Sequence, residues 1–348
     1  MMIARHVRKL EGYVPGEQPK AKNVVKLNTN ENPYPPSPEC RGVLEKFDLD
    51  NLRRYPDPDC TELRAALAKL NHTTPSRIFV GNGSDEILSL VARCFVENDE
   101  KIASLDPSYS LYKTLAAIRD VEWVGISTAV DCRRSPSTAV DNKVSLFLLT
   151  NPNAPTGEYR EPKAIAAFAK KFRGVLLIDE AYGDFARGNC MALATAKANK
   201  NVIVMRTFSK SYSLAGLRVG YCVGPEALIE AMYKVKDSYN VDALAQRIAL
   251  AAVKDQAWMK ANVKKVIAER TRLTGELEKR GWDVIPSEAN FIFAKPPRKN
   301  AAEIFTALKG RHIFVRYFSG PKTADRLRVT LGTREQNDKL LKALDELK

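Results

Sequence analysis

The segment RTFSKSYSLAGLRVGY, residues 206–221, seats one lysine, Lys210, among the hydroxyls of Thr207, Ser209, Ser211 and Ser213, with Arg218 eight residues further on. A lysine on a solvated face needs no such surroundings. A lysine that acts as a nucleophile must be neutral, which requires partial desolvation or nearby cations. Hydroxyls and a guanidinium are suited to holding a phosphate ester, which carries roughly −1.5 to −2 charges.

Three further segments follow predicted strands. GNGSDE (81–86) follows IFV and opens a helix, so the amides of Gly83, Ser84 and Asp85 can face an anion; the plainer reading is a glycine turn with Ser84 or Asp85 as cap. NPNAPTG (151–157) makes a rigid loop after VSLFLLT. DEAY (179–182) puts Asp179 at the end of an apolar strand, where burial is costly unless a cation meets it; it is a helix cap, or it faces a protonated ring nitrogen. Lys210, an anion-binding turn and a strand-end aspartate together suit a Schiff base with pyridoxal 5'-phosphate. Ser209 and Arg218 then hold the phosphate, and Asp179 keeps the pyridine nitrogen protonated so that the ring accepts electrons.

The elements that must position these residues alternate between about 75 and 225. IFV (78–80), KIASL (101–105), VSLFLLT (144–150), VLLID (175–179), VIVMRTF (202–208) and VGYCVG (219–224) read as strands, several of them apolar on both faces. SDEILSLVARCFV (84–96) and EPKAIAAFAKKF (161–172) read as helices between them. This alternation predicts an α/β architecture with a mostly parallel central sheet, whose ligands sit at the carboxyl ends of the strands. Beyond 225 the pattern changes to a long helical region and then to shorter strands and helices. The expected organisation is an N-terminal arm (1–30), a large domain (31–240) and a smaller α+β C-terminal domain (241–348).

Composition narrows the class. The 348 residues are 45% hydrophobic and 28% charged, as in a soluble globular protein. The opening MMIARHVRKLEGYVPGEQ lacks the apolar run of a signal peptide, and no segment approaches the roughly 18 apolar residues of a membrane helix. A cytoplasmic protein without a membrane partner is expected. Cys40, Cys60, Cys94, Cys132, Cys190 and Cys222 form no CxxC pair and there are only three histidines, so neither a metal site nor a disulfide framework is expected. The formal charge of +14 is spread along the chain, as in KANVKKVIAERTRL (260–273), which reads as the wet face of a helix; no nucleic-acid partner is expected.

At this point the chain resembles a known family. KLNTNENPYPPSP (26–38), RYPDP (54–58), GNGSDE, DPSYSLY (106–112), NPNAPTG, DEAY, FSKSYSLAGLRVGY and LRVTLGT (327–333), in this order, resemble the fold type I, pyridoxal-phosphate-dependent aminotransferases of class I/II. The NENPY opening and the LRVTLGT close point within that group to the branch acting on histidinol phosphate and glutamate or 2-oxoglutarate.

The resemblance implies a homodimer. It implies that Lys210 carries the cofactor and moves the proton at the substrate Cα, that Asp179 pairs with the ring nitrogen, and that Tyr182 donates to the ring 3' oxygen. Tyr109 is implied to stack on the ring, and Ser84, Asp85, Ser209 and Arg218 to surround the phosphate with Tyr55 reaching in from the second subunit. Tyr13, Arg316 and Arg328 are implied at the substrate. One departure stands out: the family usually has asparagine immediately before PTG, where it helps Tyr182, and this chain has Ala154 there with Asn153 one position earlier. Either Asn153 takes over or Tyr182 acts with a water.

Two arginines on strands are ordinarily solvated or paired. Under the implied reaction they become a fork for a phosphate ester in one half-reaction and a carboxylate in the other. The competing readings are a threonine-phosphate decarboxylase, a broader aromatic amino-acid aminotransferase and, from another class, a cofactor-binding nucleic-acid regulator.

Overall fold

The apolar runs separated by amphipathic helices assemble into one seven-stranded sheet. The computed structural model describes residues 2–21, 23–127 and 142–347; of the six cysteines, Cys132 lies outside them. Strand β1 (Val25–Lys26) precedes the large sheet, made of β2 (Ile78–Gly81), β3 (Lys101–Asp106), β4 (Glu122–Ser127), β5 (Val144–Thr150), β6 (Val175–Asp179), β7 (Val202–Thr207) and β8 (Gly220–Val223). Their order is β2-β8-β7-β6-β5-β3-β4. β8 runs antiparallel to β2 and β7, and every other neighbouring pair is parallel.

Side chains of a strand alternate between faces, and both faces of this sheet are covered. Phe147, Leu149, Leu176, Ile178, Val202 and Val204 join one core, whereas Leu146, Leu148, Leu177, Ile203 and Met205 join the other. That two-sided burial is why β5 and β6 read as unbroken apolar runs. β4 gave no such signal. It is an edge strand, and of its six residues only Ile126 is buried.

The second sheet is antiparallel, in the order β12-β13-β10-β9, from β9 (Asp283–Ile285), β10 (Phe291–Lys295), β12 (Arg316–Tyr317) and β13 (Leu327–Thr330). Between β10 and β12 lies β11 (Ile313–Phe314), which pairs in parallel with β1. The stretch expected as an arm is thus anchored at its C-terminal end: Leu27 is fully buried, and its carbonyl accepts the Thr330 N–H. Helix Ala243–Lys254, past the expected boundary at 240, packs on helices Pro38–Glu45 and Thr61–Leu70. The five cysteines among the described residues are free thiols.

Candidate active site

The sheet delivers its polar residues at the carboxyl ends of parallel strands. β6 stops at Asp179, β5 runs into the NPNAPTG loop, and β7 leads into the turn that carries Ser209 and Lys210. This turn is braced from below. Arg206 on β7 binds Glu180 Oε2 through Nη2 at 2.8 Å and Asp184 Oδ1 through Nη1 at 2.5 Å, and Ser211 Oγ donates to Asp184 Oδ2 at 2.5 Å. The buried Glu180 and the partly buried Asp184, both after β6, hold Arg206, and Asp184 fixes Ser211, the residue next to Lys210.

Lys210 Nζ donates to the Thr29 carbonyl at 3.1 Å and lies 5.8 Å from the centre of the Tyr182 ring. Loss of water, and then the positive charge of Arg328, lower its pKa from 10.5 to about 8. A substantial neutral fraction near pH 8 is what a nucleophilic amine requires. Asp179 is buried; its Oδ2 accepts from Tyr112 Oη at 2.8 Å and its Oδ1 from the Ala181 N–H at 3.0 Å. Burial outweighs these bonds and lifts the carboxyl from 3.8 to about 6.

The Asp179 shift carries a stability consequence. A carboxyl with a raised folded-state pKa contributes stability that is present below about pH 4 and lost as pH rises through about 6. In cofactor-free protein, the stability difference between Asp179→Asn and the parent should move in favour of the variant by about 3 kcal/mol between pH 4 and pH 7.5. Urea unfolding at both pH values measures it. A difference that does not change with pH removes the argument.

The turn after β2 forms the second half of the site. Helix Gly83–Phe95 starts with Ser84 and Asp85 in its first turn, Asn82 at the N-cap position and no side-chain cap. Gly83 has φ +79, and a Cβ there would stand 2.6 Å from Arg218 Nη2. Arg218 Nη1 donates to Ser209 Oγ at 3.3 Å and Nη2 to Asp85 Oδ2 at 3.4 Å, with both charged groups about half exposed. The first-turn amides, a guanidinium and a hydroxyl converge as a phosphate requires. Neither Ser84 nor Asp85 serves as the cap.

Tyr182 is buried and stands edge-on to Phe291, ring centres 5.0 Å apart. Its phenol oxygen accepts from Asn30 Nδ2 at 2.9 Å. Asn153 does not take this place. Its Oδ1 accepts from Ser108 Oγ at 2.9 Å, and its two amide protons go to the Pro107 carbonyl at 3.1 Å and Thr156 Oγ1 at 3.0 Å. Of the two ways to satisfy Tyr182 that the sequence left open, the first is therefore excluded, and a third residue stands there.

Arg316 and Arg328 face each other in register on β12 and β13. Arg328 Nη2 donates to the Asn28 carbonyl at 2.9 Å, and its Nε is buried without a partner. Arg316 donates to the Val14 and Pro15 carbonyls at 3.1 and 3.4 Å. Among the described ion pairs neither has a carboxylate, so both charges are free for an anion. The arm lies beside them: Tyr13 meets the Tyr109 ring edge-on at 5.8 Å, and Tyr109 in turn meets Tyr112 at 5.6 Å. Tyr55 stands apart. It is 80% exposed and stacks on Tyr239 with ring centres 4.3 Å apart.

Lys210, Asp179, Tyr182, Tyr109, Tyr13, Arg328 and Arg316 thus form one linked group, with Ser84, Asp85, Ser209 and Arg218 at its anion turn. Thr29, Asn30, Tyr112 and the Arg206 network were not singled out from the sequence. Thr29 and Asn30, Tyr112, Glu180 and Arg206 do lie inside the quoted segments, which was the available signal.

Residues 22–344 match the aminotransferase class I and II family. The chain belongs to that family. The aminotransferase is 43% identical to histidinol-phosphate aminotransferase 1 of Nostoc sp. over 98% of this chain and 97% of that one. It is likewise 43% identical to histidinol-phosphate aminotransferase of Geobacter sp. over 99% of this chain and 98% of that one. In three dimensions it superimposes on the histidinol-phosphate aminotransferase of Sinorhizobium meliloti, solved in complex with pyridoxal-5'-phosphate, with a TM-score of 0.90 and 25% identity, covering 99% and 97% of the two chains. Its fold is accordingly fold type I.

Proposed function

We propose that this aminotransferase moves the amino group of histidinol phosphate to 2-oxoglutarate in histidine biosynthesis, with pyridoxal 5'-phosphate bound at Lys210. The observation that carries the substrate reading is the pair of arginines on β12 and β13, unneutralised by any carboxylate among the described ion pairs, with Arg328 close enough to Lys210 to help lower its pKa. The near full-length similarity to the Nostoc and Geobacter proteins supports the same reading, and the biosynthetic role fits the expected cytoplasmic location.

The residues present fit the cofactor. Its aldehyde and protonated ring, when bound, take up the negative charge left at the substrate Cα. Lys210 supplies the bonding amine and then moves the proton at Cα, for which a pKa of about 8 keeps donor and acceptor forms both populated. Asp179 holds the ring-nitrogen proton: the burial that costs an isolated carboxylate is repaid once a cation lies against it. Tyr182 would donate to the ring oxygen, and Tyr109 would lie against the ring. Ser209, Arg218 and the first-turn amides of Ser84 and Asp85 would hold the phosphate. Tyr13, Arg316 and Arg328 would hold the substrate, a planar guanidinium matching both phosphate and carboxylate. Purified protein given histidinol phosphate and 2-oxoglutarate should release glutamate. Carbon dioxide from threonine phosphate instead would select the decarboxylase.

Tyr55, exposed and stacked on Tyr239, is consistent with a homodimer in which it completes the phosphate site of the second subunit. Inactive Tyr55→Ala and Lys210→Ala proteins, mixed and allowed to exchange, should then form hybrids with one intact site. Random pairing should restore about a quarter of parental activity. No recovery after confirmed exchange refutes the shared site.

A further inference from the structure

We propose that Asn30 is the positioning residue for Tyr182, its side-chain amide holding the phenol that no side chain at position 154 can reach in this chain. The proposal rests on the aminotransferase reading above and on four contacts. Asn30 Nδ2 donates to Tyr182 Oη at 2.9 Å, a bond buried at both ends between residues 152 positions apart. Which end of the amide faces the phenol is decided by Thr330. Its Oγ1 accepts the Asn30 backbone N–H at 2.9 Å, which leaves its own proton for Asn30 Oδ1 at 3.0 Å. The carbonyl end is therefore taken by Thr330, and the NH2 end is left for Tyr182.

The backbone of Asn30 is held just as firmly. Asn290 Nδ2 donates to its carbonyl at 3.0 Å, and its φ of +56 is a left-handed conformation that asparagine tolerates better than most residues. Neither residue before the PTG turn competes for the role. Ala154 is apolar, and both Asn153 amide protons are committed within their own loop. A phenol oxygen that accepts a hydrogen bond becomes a better donor through its own proton. Asn30 thereby leaves the Tyr182 proton free for the cleft, where Lys210 Nζ lies 5.8 Å from the ring centre. This role differs from filling space: it acts only through the Tyr182 hydroxyl.

The test is the pH midpoint of the absorbance band given by pyridoxal 5'-phosphate bound to the protein. Weaker donation from Tyr182 to the ring oxygen raises the proton affinity of the Lys210 linkage, so the midpoint should rise. In Asn30→Ala it should rise by about half a pH unit or more, roughly threefold in proton affinity. In Asn30→Asp, which keeps the shape and the Thr330 contact, the introduced carboxylate captures the phenolic proton, so the rise should be at least as large. That variant carries the test if the alanine protein does not fold. In a Tyr182→Phe background Asn30→Ala should leave the midpoint unmoved, and Asn30→Asp should shift it less than in the parent, by the effect of its charge alone. A parental midpoint in Asn30→Asp overturns the proposal, and so do equal shifts with and without the Tyr182 hydroxyl, the signature of a merely structural residue. If the parent protein itself gives no such band, the aminotransferase reading fails, which is a separate result.

Discussion

Lys210→Ala abolishes both cofactor attachment and turnover: single-turnover rates should fall by at least about 1,000-fold, since a positioned acid–base group alone contributes about 100- to 10,000-fold. The expectation follows from one amine having two tasks. Loss of water and the nearby Arg328 lower its pKa to about 8, so it is partly neutral at working pH and can bond the aldehyde. In the proposed reaction the same amine would then carry the proton at the reacting carbon. The Arg206–Glu180–Asp184 network and Ser211 fix the turn beneath it, so no flexible surface lysine can substitute. Borohydride reduction of the parent followed by peptide mapping should place the cofactor on Lys210. A label on any other lysine, or near-parental turnover in the alanine protein, sinks the assignment.

Arg328→Ala should weaken both half-reactions, while Arg316→Ala should damage the histidinol-phosphate half-reaction far more than the glutamate one. Arg328 is the deeper of the two roles: its Nε is buried without a partner, and it stands between the Phe291 and Phe318 rings, 5.3 Å from each ring centre. A desolvated guanidinium with one orphan donor favours any anion that reaches it. Arg316, by contrast, binds the Val14 and Pro15 carbonyls of the arm, and its proposed role is to meet the ligand that extends towards the arm. Truncating one partner of a desolvated charge pair costs about 2–5 kcal/mol. At about 1.4 kcal/mol per tenfold, that is roughly thirty- to several-thousand-fold in affinity or transition-state binding. Single-turnover measurements with each substrate separate the two. Equal losses in both half-reactions for Arg316→Ala remove its phosphate-selective role, and an intact glutamate half-reaction in Arg328→Ala removes the common fork.

Much of this was present in the chain read one segment at a time. β5 and β6 coincide with the runs VSLFLLT and VLLID, because a strand covered on both faces must be apolar throughout. The proposed chemistry of Lys210, Ser209 and Arg218 rests on a local signal of the same kind: the three lie within ten positions, and their side-chain types suit an anion site around an amine. β4 was invisible because it buries only Ile126 and so imposes little pattern, whereas β2 at the other edge is buried throughout and was legible. The anchoring of residues 25–27 was hidden too, since β1 is two residues long and gains its meaning only beside β11.

Tertiary structure decided which residues serve the site from a distance. Asn153 adjoins the position where an amide was sought, yet its side chain is consumed within its own loop. Asn30, 152 positions from Tyr182, makes the contact because the segment after β1 is bonded to the end of β13, through the Leu27 carbonyl and through Thr330 Oγ1 to Asn30. Arg316 and Arg328 likewise become a pair only through the register of two antiparallel strands. Periodicity and residue type record what each segment needs locally, whether burial, a cap or a turn. Hydrogen bonds between distant side chains depend on sheet order and strand register, which arise when the segments pack against one another.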